Sequence, residues 1–480
     1  MNNKDWTENI MTIFGQICQI PRPSGHEEKI RKYLTDWATE RGLAYKTDAI
    51  GNVVIAKPAS AGMEDSPTVI LQAHMDMVCE KDAGLDHDFM TQPIETYVED
   101  GWLKARGTTL GADDGMGIAM ALAVLDSDSI QHGPIECLFT VSEETGLDGA
   151  SNLAPGMMNG KILINLDSED EGQIFIGCAG GMNTTITFDY TPESVPAGSF
   201  FLQVSVDKLH GGHSGDDINK GFANANKILA RFLAEELEKY PISLCSFNGG
   251  NLHNAIPRDA TAIIAVPSAA KEHIRADFNI YADTIQREYH VTETTANFTM
   301  QSTDPVAERI EQKVAENFIH AVQGAFNGVF AMSMDMPGLV ETSSNLASVR
   351  TKEGKIVIVS SQRSSVESSK YAVRDTIAAT FRLAGATVES NGGYPGWTPN
   401  VKSALLKVAT DTYRQLFGKE AQVLSIHAGL ECGLFLINYP ELDMISVGPT
   451  LRGVHSPSER LELCTVNMVF IHLLEILKNI

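Results

Sequence analysis

The sequence has little of what marks a secreted or membrane-embedded protein. Its seven cysteines are an odd number without a CxxC spacing, which argues against a disulfide framework and is typical of a reducing compartment. No run of about 18 apolar residues occurs, so we expect no membrane-spanning helix. Residues 1–7 lack a basic start followed by an apolar stretch. We therefore predict a cytoplasmic protein that is not exported.

Positive charge is also scarce. The chain has 37 Lys and Arg against 61 Asp and Glu, which gives a formal net charge of −24. A strongly acidic surface repels phosphate backbones and anionic lipid. We therefore expect neither nucleic acid nor a membrane among the partners. The 480 residues exceed one ordinary core, and about 150 residues per domain predicts two or three compact lobes.

Predicted strands alternate with predicted helices in the first third of the chain. Apolar runs predict strands near 53–55, 69–71, 135–141 and 161–166. Helical spacing predicts a helix over 25–41 with Ser24 as its N-cap, and a buried helix over 115–125. Strands that alternate with helices favour an α/β sheet.

Histidines and acidic residues follow the ends of these predicted strands. His74 and Asp76 come directly after one apolar run, Glu143 and Glu144 after another, and Asp167 after a third. In open α/β sheets, ligands gather where the carboxyl ends of the strands meet. We therefore expect these five side chains to lie at one edge of the sheet.

Two further signals complete this set. Asp113 and Asp114 stand at the amino end of the predicted helix 115–125, where the helix dipole favours ionised carboxylates. His455 follows far downstream in a loop. Mixed imidazole and carboxylate ligands without thiolate suit Zn²⁺, Co²⁺ or Mn²⁺, and a shared carboxylate can hold two ions about 3.5–4 Å apart. The pattern predicts a two-metal centre that hydrolyses an amide.

Two turn-rich stretches, 191–198 and 392–399, divide the chain. We predict a catalytic domain formed by residues 1–190 and 396–480, because His455 lies beyond the second stretch. Residues 191–395 then form an inserted domain. Within it, 254–258 and 345–350 each precede a predicted strand and helix, and this weak repeat suggests two similar α/β units side by side.

Taken in their order along the chain, these motifs resemble the zinc-dependent exopeptidase family that includes aminoacylases, glutamate carboxypeptidases and succinyl-diaminopimelate desuccinylases. The motifs are the HxD pair, the paired aspartates, the paired glutamates, the later aspartate and the late histidine. Residues 211–215, 251–257 and 427–435 resemble a branch of bacterial dipeptidases within it. The resemblance covers nearly the whole chain. It implies an α/β fold, with a di-zinc catalytic domain built on a central mixed sheet flanked by helices and an inserted α/β lid domain.

The resemblance implies two divalent metal ions per chain, most simply Zn²⁺. His74 and Asp167 would hold one ion, Glu144 and His455 would hold the other, and Asp113 would bridge both, with a cis peptide after Asp113.

Three residues would then support the chemistry. Asp76 would accept a hydrogen bond from His74 and orient it. Glu143 would act as general base, taking a proton from a metal-bridging water and returning it to the leaving amine. His213 would stabilise the tetrahedral oxyanion.

Substrate contacts are implied for the lid. Asn254, Arg363 and Gly429 would hold the backbone and the free carboxylate of a small peptide, since a guanidinium binds a carboxylate through two hydrogen bonds. No residue for the substrate amine is identified.

We therefore predict a metal-dependent dipeptidase that cleaves unblocked dipeptides, Xaa-His (carnosine-like) among them. An N-acyl amino-acid deacylase or a carboxypeptidase with the same centre is the alternative, and the long lid favours the dipeptidase. A binding protein without activity is disfavoured, because it would not require Glu143. A homodimer is left open.

Overall fold

The computed structural model describes residues 5–480. The first four residues, which are part of the stretch 1–7 from which we predict a protein that is not exported, lie outside the described residues. The chain forms two compact units. Unit 1 consists of the described residues up to Cys178 together with Trp397–Ser425 and Leu430–Ile480, and unit 2 consists of Ala179–Gly396 and Ile426–Gly429.

Helices and strands alternate along the chain in both units. The first segment of unit 1 contains α1 (Thr7–Ile17), α2 (Glu28–Glu40), β1 (Ala44–Thr47), β2 (Val53–Lys57), β3 (Val69–His74), β4 (Thr96–Glu99), β5 (Trp102–Ala105), α3 (Ala112–Asp126), β6 (Ile135–Thr140), α4 (Glu143–Gly146), α5 (Asp148–Ser151), β7 (Ile162–Asn165) and β8 (Gln173–Cys178). Unit 2 contains β9 (Gly180–Asp189), β10 (Glu193–Ser194), β11 (Ser199–Asp207), α6 (Ala225–Leu237), β12 (Ser243–Gly249), β13 (Ala260–Pro267), α7 (Lys271–Glu288), β14 (Asn297–Ser302), β15 (Glu308–Arg309), α8 (Gln312–Gly324), β16 (Gly328–Met332), β17 (Val340–Lys352), β18 (Lys355–Ser364), α9 (Glu367–Leu383) and β19 (Thr387–Tyr394). The rest of the chain contains α10 (Ala404–Phe417), β20 (Gln422–Ile426), α11 (Glu431–Phe435), β21 (Asp443–Ser446), β22 (Leu451–Arg452), β23 (Arg460–Glu462) and α12 (Leu463–Asn479).

Unit 1 is built on an eight-stranded mixed sheet in the order β1-β2-β6-β3-β7-β21-β8-β20. Strands β6, β3, β7 and β21 run parallel, whereas β1, β2 and β8 pair in antiparallel fashion. Every residue of β3 and β6 is buried, which explains their continuous apolar runs. Helices pack on the sheet, α3 against β3 and α10 against β21. A four-stranded sheet, β22-β23-β5-β4, lies in the same unit.

Helix α3 is the predicted buried helix, and all its residues except Asp113 and Asp126 are buried. A helix that is apolar on every side requires contacts all round, and α3 packs against β3 and α1. None of the helices within residues 5–480 combines the length and the apolar composition needed to cross a bilayer.

The prediction for the start of α2 is wrong. The helix begins at Glu28, and Glu27 rather than Ser24 occupies its N-cap position. The Ser24 hydroxyl instead donates a hydrogen bond of 2.7 Å to the Asp76 carboxylate. The Ser24 hydroxyl therefore makes a long-range hydrogen bond to Asp76 instead of capping α2.

Unit 2 is built on a nine-stranded sheet whose main path is β14-β11-β13-β12-β17-β18-β9-β19, with β16 paired to β17. Strands β11 to β14 with helices α6 and α7 form a βαββαβ arrangement in which β11 and β13 are central. Strands β9, β17, β18 and β19 with helices α8 and α9 form a second one, in which β18 and β9 are central. The first arrangement is inserted into the second, and pairing of β12 with β17 joins them into one sheet. The fold class predicted from the sequence is confirmed.

The boundaries between the units differ from those drawn on the sequence. Unit 2 begins at Ala179, ahead of the turn-rich stretch 191–198, because β8 and β9 follow each other almost directly and no composition change marks the passage. It ends at Gly396, inside the second turn-rich stretch. Unit 2 also includes Ile426–Gly429. No local sequence pattern predicts this, because the assignment depends on how this segment packs.

Candidate metal centre

Three neighbouring parallel strands bring the predicted site to one edge of the unit 1 sheet. Strand β3 lies between β6 and β7 and is parallel to both. It ends at His74, whereas Glu143 and Glu144 follow β6 and Asp167 follows β7. Because all three carboxyl ends meet at the same edge, these side chains converge as the strand pattern predicts.

The start of α3 brings a further carboxylate to this edge. Asp113 and Asp114 depart from helical backbone angles, and the peptide bond between them is cis, as the resemblance implied. Asp114 is buried, and its two oxygens accept hydrogen bonds from the backbone N–H groups of His74 (3.2 Å) and Gly117 (3.0 Å). Asp113 is left to face the histidines.

Asp113 lies between two imidazoles. Its Oδ1 is 2.9 Å from His74 Nε2, and its Oδ2 is 3.2 Å from His455 Nε2. His74 Nε2 also lies 3.4 Å from Asp167 Oδ1, and His455 Nε2 lies 3.0 Å from Glu144 Oε2. The five side chains therefore form two histidine–carboxylate sets that share Asp113.

The electrostatics indicate too much negative charge for the protein groups to balance. Burial raises the pKa of the Asp167 carboxyl to about 8 against the effect of His74. Burial, with Asp167 and Glu431 nearby, raises the pKa of Glu143 well above its usual range. Hydrogen bonds to Asp113 and Glu144 raise the pKa of His455 to about 11.

A divalent cation fits these residues. Ligand atoms of His74, Asp113 and Glu144 lie within 4.8 Å of one another, and so do those of His74, Asp114 and Asp167. Glu144 Oε1 is buried and has no hydrogen-bond partner among residues 5–480. Imidazole and carboxylate donors without thiolate suit zinc and its neighbours. The cluster could therefore hold metal, and of the two aspartates Asp113 is the better ligand, since Asp114 is engaged by the backbone.

Asp76 belongs to the same edge but serves the backbone. Its oxygens accept hydrogen bonds from the N–H groups of Glu143 (3.0 Å) and Glu144 (3.2 Å), and Oδ1 lies 3.3 Å from His74 Nδ1. Burial would raise the pKa of Asp76, but His74, Ser24 and the N–H group of Glu143 lower it to about 2. Asp76 thus ties the end of β3 to the start of α4.

Sequence reasoning missed Glu459, which organises the opposite side of the cluster. Its buried carboxylate accepts four backbone hydrogen bonds, from the N–H groups of Leu110 (2.7 Å), Gly111 (2.9 Å), Ala112 (2.8 Å) and Asp113 (3.3 Å). The only signal in the sequence was an acidic residue four positions after His455. Glu459 therefore connects the loop that carries His455 to the turn that carries Asp113.

Arg22 and Glu431 were missed as well. The buried Arg22 guanidinium donates to the carbonyl oxygens of Met75 (3.0 Å), Asp76 (2.5 Å) and Gly111, which ties the end of β3 to the start of α3. The buried Glu431 carboxylate accepts hydrogen bonds from Gln72 Nε2 and Thr140 Oγ1. Both residues lie far in sequence from what they hold, so no local pattern could reveal them.

The other predicted residues all lie in unit 2. The Ser214 N–H donates to the Asn254 carbonyl (2.8 Å), and His213 Nδ1 lies 3.3 Å from Asp216 Oδ2. A short backbone pairing of His213 with Ala255 joins the loops that carry His213 and Asn254.

Arg363 and Gly429 both contact Tyr394, a residue that was not among those predicted from the sequence. Arg363 Nη1 donates to Tyr394 Oη (3.1 Å), and Gly429 lies against the Tyr394 ring. Tyr394 lies in the turn-rich stretch that served only as a domain boundary.

His427 lies in the same unit. Burial and the nearby Arg363 charge lower the pKa of its imidazole to about 3, against the effect of Asp216.

Known proteins resemble this chain over nearly its whole length. The model of peptidase family M20/M25/M40 matches residues 70–478. The cytosol non-specific dipeptidase of Escherichia coli (strain K12) is 43% identical over 468 residues, which cover 98% of this chain and 96% of that protein. A crystal structure of aminoacylhistidine dipeptidase from Vibrio alginolyticus has a TM-score of 0.93 and 42% identity, and covers 98% of this chain and 96% of that chain.

A more distant structure shares the fold alone. The aminopeptidase PepT from Bacillus cereus ATCC 10987 has a TM-score of 0.58 at 17% identity, over 98% of both chains.

We expect Glu459→Gln to loosen the metal cluster. The new amide N–H₂ would face two backbone N–H donors, and each buried donor left unsatisfied costs about 1–3 kcal/mol of stability. The melting temperature and the number of metal ions bound per chain measure the effect, and both should be lower in the variant. Glu441→Gln, at an exposed ion pair with Lys161, is the control. Unchanged metal content and melting temperature would contradict the role of Glu459.

Proposed function

The chain belongs to peptidase family M20/M25/M40, and we propose that it is a cytosolic metallo-dipeptidase that hydrolyses unblocked dipeptides, Xaa-His among them. One observation carries the proposal: the histidine–carboxylate cluster around Asp113 stands in a chain that aligns over 98% of its length with a cytosol non-specific dipeptidase. The similarity to an aminoacylhistidine dipeptidase supports Xaa-His among the substrates.

We propose that two divalent ions, most simply Zn²⁺, with Co²⁺ or Mn²⁺ as substitutes, bind the cluster. His74 and Asp167 would hold one ion, Glu144 and His455 the other, and Asp113 would serve both. The two oxygens of Asp113, each directed at a different imidazole, support this assignment. When bound, such ions lower the pKa of a coordinated water towards about 7 and polarise the carbonyl of the scissile bond.

Glu143 is the proposed general base. Its backbone N–H is fixed by Asp76, and its side chain is not among the groups that contact an imidazole. In the proposed reaction a water oxygen adds to the peptide carbonyl carbon, and the Glu143 carboxylate accepts the proton that this water releases. Glu143 then donates the proton to the amide nitrogen as the C–N bond breaks, which yields two amino acids.

Unit 2 supplies the remaining proposed contacts. His213 would donate a hydrogen bond to the oxyanion, while Asn254, Arg363 and Gly429 would hold the substrate backbone and its free carboxylate. The burial of Arg363 without a carboxylate within ion-pair distance among residues 5–480 supports its role, because a buried guanidinium requires an anionic partner.

The class of substrate is tested by a panel of dipeptides, tripeptides and N-acyl amino acids, assayed before and after chelation. We expect turnover of dipeptides above the other two classes, because the two relatives that match the chain over 98% of its length are named as dipeptidases. Chelation should abolish turnover and added Zn²⁺ should restore it. Turnover of N-acyl amino acids alone would identify a deacylase instead, and activity that survives complete metal removal would contradict the metal centre.

Glu143→Ala should separate the chemistry from metal binding. Loss of a general base lowers kcat by about 10²–10⁴-fold. Both metal ions should remain, because Glu143 is not among the proposed ligands. Metal analysis and kcat are measured on one preparation, with Asp148→Ala, an exposed carboxylate at the start of α5, as the control. Near-normal turnover with full metal content would remove Glu143 from the mechanism.

His213→Ala tests the proposed oxyanion contact. One lost donor lowers kcat by about 10²–10³-fold. Metal content should stay constant, because His213 belongs to unit 2 and the cluster to unit 1. His290→Ala, an exposed histidine of unit 2, is the control. A structural His213 would instead give a lower melting temperature and ordinary turnover in the folded enzyme.

A further inference from the structure

Arg363, Gly181 and Tyr394 lie in one row across three adjacent strands of unit 2. Arg363 of β18 pairs with Gly181 of β9, and Gly181 pairs with Tyr394 of β19. Directly opposed residues present their side chains to the same face of a sheet, and neighbouring strands are about 4.7–4.9 Å apart. Arg363 and Tyr394 can meet only because the residue between them has no side chain.

The gap over Gly181 is filled by the tyrosine. A Cβ at position 181 would lie 2.7 Å from Tyr394 Oη and 2.8 Å from its ring carbons. Across this gap Arg363 Nη1 donates a hydrogen bond of 3.1 Å to Tyr394 Oη. The absence of a side chain in the middle strand is therefore a condition of the Arg363–Tyr394 contact.

Tyr394 is held from two further directions. Its backbone carbonyl accepts a hydrogen bond of 2.7 Å from Nζ of Lys370, a buried residue. Its ring faces Gly429, where a Cβ would lie 2.8 Å from a ring carbon. Gly429 is not among the glycines with positive φ, so the need for a glycine there comes from this close approach and not from the backbone angle.

The Arg363 guanidinium, which Tyr394 contacts, has a hydrogen-bond donor that no protein group among residues 5–480 uses. Arg363 is only 7% exposed, and its Nε has no hydrogen-bond partner among the described residues. No carboxylate in residues 5–480 forms an ion pair with it, although a buried cation is costly without an anion. The group is therefore fixed on one side by Tyr394 and keeps donors for a ligand.

We propose that Tyr394 is a positioning residue that orients Arg363 for the terminal carboxylate of the dipeptide, and that positions 181 and 429 are glycine to leave room for it. The inference rests on the proposed dipeptidase function, in which Arg363 binds that carboxylate. It adds a residue that acts on substrate affinity through another side chain and does not touch the reacting atoms.

Tyr394→Phe keeps the ring and removes the hydroxyl. Steady-state kinetics are measured on an Xaa-His dipeptide and on its C-terminal amide, which lacks the anion. For the free acid we expect KM to rise about 10-fold, as for a lost hydrogen bond to a charged group, with kcat within about twofold. For the amide, KM should not change. Tyr45→Phe, an exposed tyrosine of unit 1, is the control.

Gly181→Ala is the second variant, because it retains the tyrosine and inserts a methyl group into the gap. It should show the same selective rise in KM for the free acid, with unchanged metal content, and melting curves of both variants establish that they are folded. Equal effects on acid and amide, or an unchanged KM for the acid in both folded variants, would overturn the proposal. A wild-type enzyme without dipeptide turnover would overturn the proposed function itself, so the two failures are distinguishable.

Discussion

The repulsion among carboxylates gathered at one buried sheet edge is the constraint on which the rest of unit 1 depends. At an effective dielectric of about 20, two like charges 4 Å apart repel by about 4 kcal/mol. Asp113, Glu143, Glu144 and Asp167 share this edge with only two imidazoles, and the raised pKa values of Glu143 and Asp167 record the imbalance. Divalent cations would remove it, so metal binding and the stability of this edge should be coupled.

Two kinds of carboxylate can be told apart by what their oxygens contact. Asp76, Asp114 and Glu459 accept hydrogen bonds from backbone N–H groups, and their charge therefore stabilises turns. Asp113 and Glu144 instead face imidazole nitrogens. Asp76 does both, because its Oδ1 also lies 3.3 Å from His74 Nδ1. The first kind fixes the positions of the second, so hydrogen bonds to the backbone hold the like-charged side chains in a defined geometry.

The strand ends could be predicted because each is a local event: an apolar run followed directly by a histidine or an acid. Glu459 could not be predicted, since it serves residues almost 350 positions earlier in the chain. Ser24 shows that a local pattern can also give a wrong prediction, because its hydrogen bond to Asp76 is favoured over capping of α2. The contact of Tyr394 with Arg363 depends on strand register across Gly181, and register is decided by the whole sheet.

The sheet edge of unit 1 and the Arg363 site of unit 2 bury charges of opposite sign that side chains of the same unit do not balance. The edge of unit 1 has an excess of carboxylates, whereas unit 2 buries the Arg363 guanidinium without a carboxylate partner among residues 5–480. If Arg363 stood among the carboxylates of unit 1, it would form an ion pair with one of them and compete with the metal ions. On a separate sheet, held by a neutral hydroxyl, its charge would stay available for the terminal carboxylate of the proposed substrate. The neutral partner matters for the same reason, because a carboxylate in place of Tyr394 would satisfy the guanidinium and leave nothing for a ligand to gain.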